Sequence, residues 1–435
     1  MPRPIFLGID IGTSGIRASG IDADAQERVC HHIAFQGTPP AQGKSEQNPA
    51  DWLALLDQLL LEISNKINTL NNDFRIHAIA IDGTSSTIFA CKKDGTPLSP
   101  ALMYNDAQSQ PQADIIQHFA PKESAVHSAS SSLAKALNLL QGFPQTELFC
   151  HQADWLAASL TGVYGISDEN NCLKLGYDSV QQQWPGWLFE NEKNAVLPKT
   201  SLPRVVAPGT RIGEVKAELI EKYQLARNCI VVAGTTDSNA AVLATGCNQL
   251  GDAVTSLGST LVVKLFSDKP IFNPDYGIYS HRLNNHWLVG GASNSGGAVL
   301  LQHFSKKQLD AMTPQLKPEQ PTELDYYPLP GTGERFPDND SHKQSRITPR
   351  PESDVEFFQA LLEGIASIEA EAYKKLVSLG AVSPKRIFTA GGGAKNPAWT
   401  KIREQTIGVP VLSARHSEAC YGSALLALRA MKNEK

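Results

Sequence analysis

Two segments near the start of the chain share one pattern, in which an apolar strand ends in an Asp that Gly, Thr and Ser follow. The first spans residues 5–15 and carries Asp10, and the second spans residues 79–87 and carries Asp82. A carboxylate at the end of a buried strand can face a metal ion, and the N–H groups of a small-residue turn can line an anion site. The pattern therefore predicts a site for a metal-bound phosphate.

A related element lies in the second half of the chain, where two apolar strands flank Gly258, Ser259 and Thr260. One such turn is weak evidence, whereas two turns that face each other could hold a nucleotide. The alternative interpretation is that the three elements are ordinary β-hairpins with no ligand.

Bulk properties exclude several classes of protein. At 435 residues the chain is long for one core, which predicts two domains. The formal net charge of −5, without a Lys/Arg run, predicts no nucleic-acid partner. Seven scattered cysteines without a C-x-x-C pair argue against disulfides and zinc and fit a reducing compartment. No segment reaches a membrane-spanning length or resembles a signal peptide, so we expect a soluble cytoplasmic protein without a membrane partner.

Strands alternate with helices along the chain, which predicts an α/β protein with a mixed sheet. Strands are expected at 5–11, 16–21, 79–82, 229–234 and 386–390. Helices are expected from Pro49 onward, through most of 111–165, and over 355–380. Pro39, Pro40 and Gly43 mark a loop, and the Pro-, Gly- and Asp-rich stretch 314–355 is expected to be a long surface excursion.

Three consecutive glycines, Gly391, Gly392 and Gly393, separate the strand at 386–390 from a helix for which Asn396 is a good N-cap. Glycines let the backbone approach a flat ligand closely. A tight turn alone could require one of them. A nucleotide base or ribose lying on the turn explains all three better.

The chemistry of the chain depends on carboxylates, because it has neither a P-loop nor a dinucleotide-binding fingerprint. The candidates are Asp10, Asp82, Asp237 and, more weakly, Asp106. Phosphoryl transfer needs a held metal, cradled phosphates and a residue that accepts the proton of the acceptor hydroxyl. Asp10 suits the metal role. Asp237, in the first turn of a predicted helix, suits the base role, with a simple capping Asp as the alternative.

These elements resemble, in order, the motifs of the FGGY carbohydrate kinases, which lie within the sugar kinase, Hsp70 and actin ATPase superfamily. The motifs are DIGTS at 10–14, EQNP at 46–49 with Trp52, YND at 104–106, GTTD at 234–237, SLGST at 256–260, GERFP at 333–337, LEGIA at 362–366 and GGGAKN at 391–396. The resemblance covers nearly the whole chain. It implies two actin-like, ribonuclease H-like α/β domains with mixed sheets flanking a central cleft, with the sugar site in residues 1–240 and the nucleotide site in residues 241–435.

The resemblance also implies a role for each candidate residue, with ATP and Mg²⁺ as cofactors. Asp10 is implied at the metal and Asp237 as the general base. The residues implied around ATP are Thr13, Ser14, Gly258, Ser259, Thr260, Gly391, Gly392, Gly393, Asn396 and Trp399. Those implied at the sugar are Ser14, Gly15, Asp82, Gly83, Ser85, Asp106 and Asp237.

Within the family, the chain is most similar to a small subgroup of cyanobacterial and plant D-ribulose kinases, some of them labelled xylulose-kinase-like. The similarity lies in DGTS at 82–85, DWL at 154–156, LKLGY at 173–177 and DYYPLP at 325–330. A typical xylulose kinase has a Gly-Gln-x-His-Gly motif where this chain has residues 82–86. The resemblance implies ATP-dependent phosphorylation of D-ribulose to the 5-phosphate.

Two alternatives remain. One is a kinase for D-xylulose, another ketose or a polyol. The other is a superfamily ATPase that regulates a protein partner, which would need a partner-binding appendage that we do not expect after residue 432.

Overall fold

The chain forms two compact units, Met1–Ala244 with Glu418–Lys435, and Thr245–Ser417. The computed structural model describes residues 2–35, 44–70, 73–191 and 197–433, and the loop predicted around Pro39, Pro40 and Gly43 lies outside these ranges. The sequence predicted one domain over residues 1–240 and a second over 241–435, whereas the first unit extends to Ala244 and also includes Glu418–Lys435. The last helix of the chain packs in the first unit, although sequence order had assigned it to the second.

The first unit contains twelve of the described strands and eight of the described helices. The strands are β1 (Arg3–Gly12), β2 (Gly15–Ile21), β3 (Glu27–Ala34), β4 (Glu46–Gln47), β5 (Phe74–Gly83), β6 (Ile88–Cys91), β7 (Ala101–Leu102), β8 (Leu148–His151), β9 (Ile166–Asp168), β10 (Arg204–Val206), β11 (Arg211–Glu214) and β12 (Ile230–Val232). The helices are α1 (Pro49–Asn68), α2 (Gln110–Ile116), α3 (Ser132–Gly142), α4 (Gln152–Thr161), α5 (Glu169–Cys172), α6 (Ala217–Lys222), α7 (Asp237–Ala244) and, from the end of the chain, α12 (Ala419–Asn433).

The main sheet of this unit has the strand order β11-β12-β5-β1-β2-β3. Its central strands β12, β5 and β1 are parallel to one another, and β2 returns antiparallel to β1. Alternate residues of β1, such as Ile5, Leu7 and Ile9, are fully buried in the core between this sheet and α1. The carboxyl ends of three parallel strands therefore meet at one edge of the sheet.

Helix α12 packs tightly against β1 and α7. A Cβ atom added to Gly8 would lie 1.9 Å from the Cys420 carbonyl oxygen, and one added to Gly422 would lie 1.8 Å from the Ala240 carbonyl oxygen. Neither position tolerates a side chain without movement of the backbone. This close packing is the physical reason why the end of the chain belongs to the first unit.

A smaller sheet in the order β4-β7-β6-β8 extends the first unit. It packs with α2 and α3, and their apolar residues form a separate core. The prediction of a mostly helical 111–165 is only partly correct, because β8 lies between α3 and α4 and residues 117–131 form turns. Strand β8 is apolar and only four residues long, which periodicity cannot distinguish from a helical segment.

The second unit contains six of the described strands and four of the described helices. They are β13 (Asp252–Leu257), β14 (Leu261–Ser267), β15 (His281–Leu283), β16 (His286–Ser293), β17 (Arg386–Ala390) and β18 (Val411–Ser413), with α8 (Gly297–His303), α9 (Lys306–Met312), α10 (Asp354–Ser378) and α11 (Pro397–Ile407). The strands form one sheet in the order β15-β16-β14-β13-β17-β18. Helix α10 ends as predicted, since Gly380 adopts a φ of +108° just after it.

A buried ion pair joins helices α10 and α11 of this unit. The Arg403 guanidinium donates to both carboxylate oxygens of Glu369, at 2.6 and 2.7 Å, and also to Thr389 Oγ1 on β17 at 2.7 Å. Thr255 on β13 donates to the same carboxylate. The pair therefore fixes two helices against the two strands that lead into the predicted nucleotide turns.

The stretch 314–355 is not the simple surface excursion that its composition predicts. Between the 3₁₀ turn that ends at Gln315 and helix α10, which begins at Asp354, it contains no regular helix and no strand, and the structure describes all of these residues. Yet Tyr326, Leu329 and Phe336 are buried, and Glu334 accepts hydrogen bonds from Ser293 Oγ and the Asn294 N–H. Gly, Pro and Asp content predicts the absence of regular structure, but it does not report burial.

Candidate active site

Three carboxylates meet at the carboxyl edge of the main sheet in the first unit. Asp10 on β1 and Asp82 on β5 are direct register partners. Asp237 is the first residue of α7, which follows β12, and a bridge between Gly83 and Thr236 joins the ends of β5 and β12. The structure thus brings together the three carboxylates that the sequence singled out, at the edge where open α/β sheets bind ligands.

Asp10 and Asp82 shift each other's pKa. Asp82 is completely buried, and burial together with the negative charge of Asp10 raises its pKa well above the usual value for a carboxyl. Burial also raises the pKa of Asp10, although a hydrogen bond with Asp82 and the Arg17 guanidinium oppose the rise. Arg17 Nη1 lies 3.3 Å from Asp10 Oδ2. Asp82 therefore holds a proton more readily than Asp10 does.

The sequence prediction placed Asp82 at the sugar, and the structure gives it a different environment. Its carboxyl has no exposed surface, and Oδ2 accepts a hydrogen bond of 2.5 Å from the Ser423 hydroxyl on α12. This bond fixes the carboxyl beside Asp10, whereas Asp82 Oδ1 has no hydrogen-bond partner among the described residues. Ser423 was missed by the sequence analysis, because nothing in its local pattern indicates a partner so far away in the chain.

Arg17 was also missed, although the sequence contained the information to find it. Strands β1 and β2 are joined by a turn of two residues, Thr13 and Ser14, so that Gly12 pairs with Gly15 and Asp10 pairs with Arg17. Both turn residues are exposed. The turn can present its N–H groups and hydroxyls to an anion, and Gly15 is buried behind it.

Asp237 has the position expected of a general base. It is half-buried, and its Oδ1 accepts a hydrogen bond of 2.6 Å from the N–H of Ser238. The positive end of the α7 helix dipole stabilises a carboxylate here. Its charge also contributes to the raised pKa of Asp82, which shows that the three carboxyls form one electrostatic group.

The turn after Asp82 is braced from several sides. Gln152 Oε1 accepts hydrogen bonds from the backbone N–H and the hydroxyl of Thr84, at 3.2 and 3.0 Å. Ser85 is half-buried, and the next residue, Ser86, is buried in a left-handed conformation with a φ of +66°. Gly83 was predicted at the sugar. A Cβ atom added to this residue would lie 3.0 Å from Gln152 Oε1, so a side chain here would be crowded.

Asp106 is more deeply placed than the sequence predicted. It has no exposed surface, and its carboxylate accepts hydrogen bonds from the N–H groups of Ser45 and Gln108 and from the Gln108 side chain, at 2.8, 3.1 and 2.8 Å. Three donors of the chain itself occupy this carboxylate. These hydrogen bonds order the loop around Asp106.

The second unit contains a cavity of about 380 Å³. Six of the residues predicted at the nucleotide line it, namely Gly258, Ser259, Gly392, Gly393, Asn396 and Trp399. Apolar side chains such as Leu300, Leu309 and Phe358 complete its walls, and Lys306 and Asp310 are polar groups on its lining. Thr260 and Gly391, also predicted at the nucleotide, are not among the lining residues.

The three glycines of this site do not share one purpose. Gly391 has a φ of +86°, and an added Cβ atom would lie 2.6 Å from the Leu257 carbonyl oxygen. A Cβ atom on Gly393 would lie 2.6 Å from the Trp399 ring. Nothing lies within 4 Å of the corresponding position on Gly392. Packing explains two of the glycines, and only Gly392 leaves open space toward the cavity.

Asn396 and Trp399 have structural partners of their own. The Asn396 side chain caps α11 by accepting from the Trp399 N–H at 2.9 Å, as its position before Pro397 predicts. The Trp399 indole is buried and donates to the Leu362 carbonyl at 3.1 Å. Trp399 is therefore a wall of the cavity that belongs to the core of the unit.

Comparison with known proteins agrees with this architecture. The description of the N-terminal domain of the FGGY family of carbohydrate kinases matches residues 5–244, and that of the C-terminal domain matches residues 253–431. The chain therefore belongs to the FGGY family of carbohydrate kinases. Its predicted class, an enzyme that transfers phosphate to a sugar, is confirmed at this level.

Individual relatives are distant. The chain is similar to the xylulose kinase of Lactococcus lactis, with 25% identity over 417 residues that cover 90% of this chain and 80% of the relative. It is 20% identical to the xylulose kinase of Escherichia coli K12 over 415 residues, which cover 92% and 84% of the two chains.

Solved structures show the same fold. A xylulose kinase from Brucella ovis superposes with a TM-score of 0.86 at 23% identity, over 99% of this chain and 91% of that one. Glycerol kinase from Plasmodium falciparum with ADP gives a TM-score of 0.85 at 19% identity, over 99% and 90%. The predicted fold class, two α/β domains of the actin-like type with mixed sheets, is confirmed. No helix in the described part of the chain is long and apolar enough to cross a membrane.

Proposed function

We propose that this kinase transfers the γ-phosphoryl group of ATP to the terminal hydroxyl of a ketopentose, with D-ribulose as the preferred acceptor and D-ribulose 5-phosphate as the product. The observation that carries the proposal is the group formed by Asp10, Asp82 and Asp237 at one edge of the main sheet. In this group Asp10 is buried and paired with Arg17, whereas Asp237 is half-exposed and lies at the start of helix α7. Phosphoryl transfer to an alcohol needs both types of group.

Asp237 would accept the proton of the attacking hydroxyl. The oxygen of that hydroxyl forms a bond to the γ-phosphorus, the bond from this phosphorus to the bridging oxygen breaks, and ADP leaves with the electron pair. Asp237 is suited to this role because its carboxylate is half-exposed and is oriented by the N–H of Ser238.

A divalent cation such as Mg²⁺ fits the residues of the first unit. Asp10 offers a hard oxygen ligand, and Asp82 is its direct neighbour. In the described part of the chain no group of three or more His, Cys, Asp or Glu could hold a metal ion. This donor set suits a Mg²⁺ ion that takes most of its ligands from water and phosphate. When bound, the ion would offset the negative charge of the phosphates.

The nucleotide is assigned to the cavity of the second unit. Its volume of about 380 Å³ and its apolar walls suit a nucleobase. Gly392 offers open space for close approach, and Ser259 supplies a polar group from the turn between β13 and β14. Thr13 and Ser14 of the first unit would bind phosphate through their exposed turn.

The choice of D-ribulose rests on the turn that follows Asp82. The chain has Asp-Gly-Thr-Ser-Ser at 82–86 where a typical xylulose kinase has Gly-Gln-x-His-Gly, so the long Gln and His side chains of that motif are missing and short hydroxyls are present. Several buried polar atoms around this turn have no hydrogen-bond partner among the described residues, including Asp82 Oδ1, Ser86 Oγ, Gln152 Nε2 and Thr236 Oγ1. Sugar hydroxyls could satisfy such atoms, and a site built on hydrogen bonds rejects an analogue that leaves them unpaired.

A second acceptor, D-xylulose, is favoured by the names of the relatives, which are xylulose kinases. Family membership favours either sugar over the third alternative, an ATPase that regulates a protein partner. We also propose a cytoplasmic location, because all seven cysteines are free and six of them are buried.

ADP release by the purified protein, measured with a panel of pentuloses, pentoses and polyols, tests the proposal. We expect ADP release to depend on sugar and to show its highest kcat/KM with D-ribulose. A preference for D-xylulose would contradict the acceptor but not the kinase chemistry. ADP release that no sugar stimulates would contradict both.

A further inference from the structure

Lys135 on α3 is a completely buried lysine that the proposed chemistry does not use. Its side chain has no exposed surface. The ammonium group donates hydrogen bonds to two backbone carbonyls, that of Ser86 at 3.0 Å and that of Met103 at 2.6 Å. No ion pair of Lys135 with an acidic side chain is among those of the described chain. Burying a lysine amino group costs free energy, so an apolar residue would stabilise the fold better if the role of this position were purely structural.

The two carbonyls belong to two different loops of the first unit. Ser86 lies in the turn after β5, next to Ser85. Met103 lies in the loop after β7, where its carbonyl also accepts the N–H of Asp106 at 2.9 Å. These loops carry the two residues, Ser85 and Asp106, that the sequence placed at the sugar. One ammonium group therefore joins both loops.

Each loop is in a conformation that needs support. Ser86 is a non-glycine residue with a φ of +66°, in the sparsely populated left-handed region. Its carbonyl points to Lys135. The second loop is closed by Asp106, whose negative charge also acts on Lys135 and favours its protonated form. The amino group of Lys135 is thus held between a strained turn and the carbonyl dipole of a loop that contains a buried carboxylate.

We infer that Lys135 is a positioning residue for the sugar, which sets the spacing and orientation of the Ser85 turn and the Asp106 loop by donating to the Ser86 and Met103 carbonyls. The inference rests on the proposed function, because it takes these loops as the sugar site. Lys135 itself does not contact the sugar. It acts on affinity and orientation of the acceptor, and not on the nucleotide cavity, which is built entirely from residues of the second unit.

The test compares Lys135→Met, which keeps the length and the buried stem but removes all donors, with Lys135→Gln, which keeps an N–H donor. Lys122→Met is the matched control, since Lys122 is an exposed lysine between α2 and α3. Steady-state kinetics are measured for the acceptor and for ATP separately, and folding is checked by circular dichroism and thermal unfolding.

We expect Lys135→Met to raise the KM for the sugar about tenfold, in line with the loss of two buried hydrogen bonds. The KM for ATP should be unchanged in Lys135→Met. The sugar KM of Lys135→Gln should lie between those of Lys135→Met and the wild type. Lys122→Met should have the KM values of the wild type for both substrates. A merely structural role would lower the yield of active enzyme, and hence the apparent kcat, without separating the two KM values.

Three outcomes would overturn the inference. The first is a sugar KM in Lys135→Met equal to that of the wild type, and the second is a parallel rise of the KM values for both substrates. The third is failure of both Lys135 variants to fold, which would show that the residue serves stability alone. If the wild-type protein phosphorylates no sugar of the panel, the proposed function is wrong and the inference falls with it, which the wild-type measurement shows on its own.

Discussion

The hydroxyl of Ser423 donates a hydrogen bond of 2.5 Å to Asp82 Oδ2, although 341 positions separate the two residues along the chain. This contact places the last helix directly against the carboxylate group at the edge of the main sheet. It also orients the Asp82 carboxyl, so that Asp10 faces a neighbour whose position is fixed. The carboxylates of this kinase therefore depend on the end of the chain as well as on its beginning.

Asp237→Asn should abolish phosphoryl transfer and leave ATP binding nearly intact. The amide cannot accept the proton of the acceptor hydroxyl, and loss of a positioned base typically lowers the rate by roughly 10²–10⁴. Turnover and equilibrium binding of ATP should be measured on the same preparation. A variant with wild-type turnover would exclude Asp237 as the base.

Asp10→Ala should change the dependence of activity on Mg²⁺, because a hard cation needs an oxygen ligand or a carboxylate that holds its waters. Titration of Mg²⁺ against activity should give a higher midpoint together with a lower maximal rate. Asp24→Ala is the control, since Asp24 is an exposed carboxylate of the same unit. If the Mg²⁺ midpoint and the rate of Asp10→Ala are those of the wild type, the metal binds elsewhere.

Gly392→Leu should raise the KM for ATP several-fold without lowering the melting temperature. The open space at Gly392 accepts a side chain without a clash, but that side chain would enter the cavity. Gly391→Ala is the matched comparison and should lower the melting temperature, because its positive φ and the nearby Leu257 carbonyl disfavour a Cβ atom. An unchanged KM for ATP in a folded Gly392→Leu variant would show that the nucleotide does not occupy this cavity.

Ser85→Ala should reduce kcat/KM for D-ribulose more than for D-xylulose. The two ketoses differ only in the configuration at C3, and a short hydroxyl that hydrogen-bonds one configuration leaves the other unpaired. Kinetics with both sugars on wild type and variant measure the difference directly. Equal losses on both sugars would remove Ser85 from the selection of the acceptor.

The stability of the protein should depend on pH through Lys135. Burial lowers the pKa of the Lys135 ammonium from 10.5 to about 7, against the opposing charge of Asp106. Between these two values the unfolded chain binds a proton that the native state does not, so the free energy of unfolding rises with pH in this window. The rise is at most about 1.4 kcal/mol per pH unit for one group.

Other titrating groups contribute to the same pH range, so the informative quantity is a difference. Lys135→Met removes only this titrating group. The free energy of unfolding of the wild type minus that of the variant should therefore increase from pH 7 to pH 9.5. Chemical denaturation at a series of pH values measures it. A gap that does not change with pH would show that Lys135 keeps an ordinary pKa despite its burial.

Local patterns predicted much of this molecule because each rests on short-range physics. Asn48 and Asn396 cap α1 and α11, Gly380 follows α10 in the left-handed conformation, and Asp10 ends a buried strand. Local patterns do not report contacts with residues far away in the chain. Examples are the hydrogen bond that Asp106 accepts from the Ser45 N–H and the one that Trp399 donates to the Leu362 carbonyl.

The sequence by itself determined the turns that follow Asp10 and Asp82, the helix that starts at Asp237 and the order of the family motifs, because these depend on neighbours along the chain. Only the tertiary structure decided that the pKa of Asp82 is raised more strongly than that of Asp10, since burial and an adjacent charge set a pKa. It also decided that Lys135 joins two loops and that the last helix belongs to the first unit. These relationships join residues far apart in sequence, which only packing brings within hydrogen-bond distance.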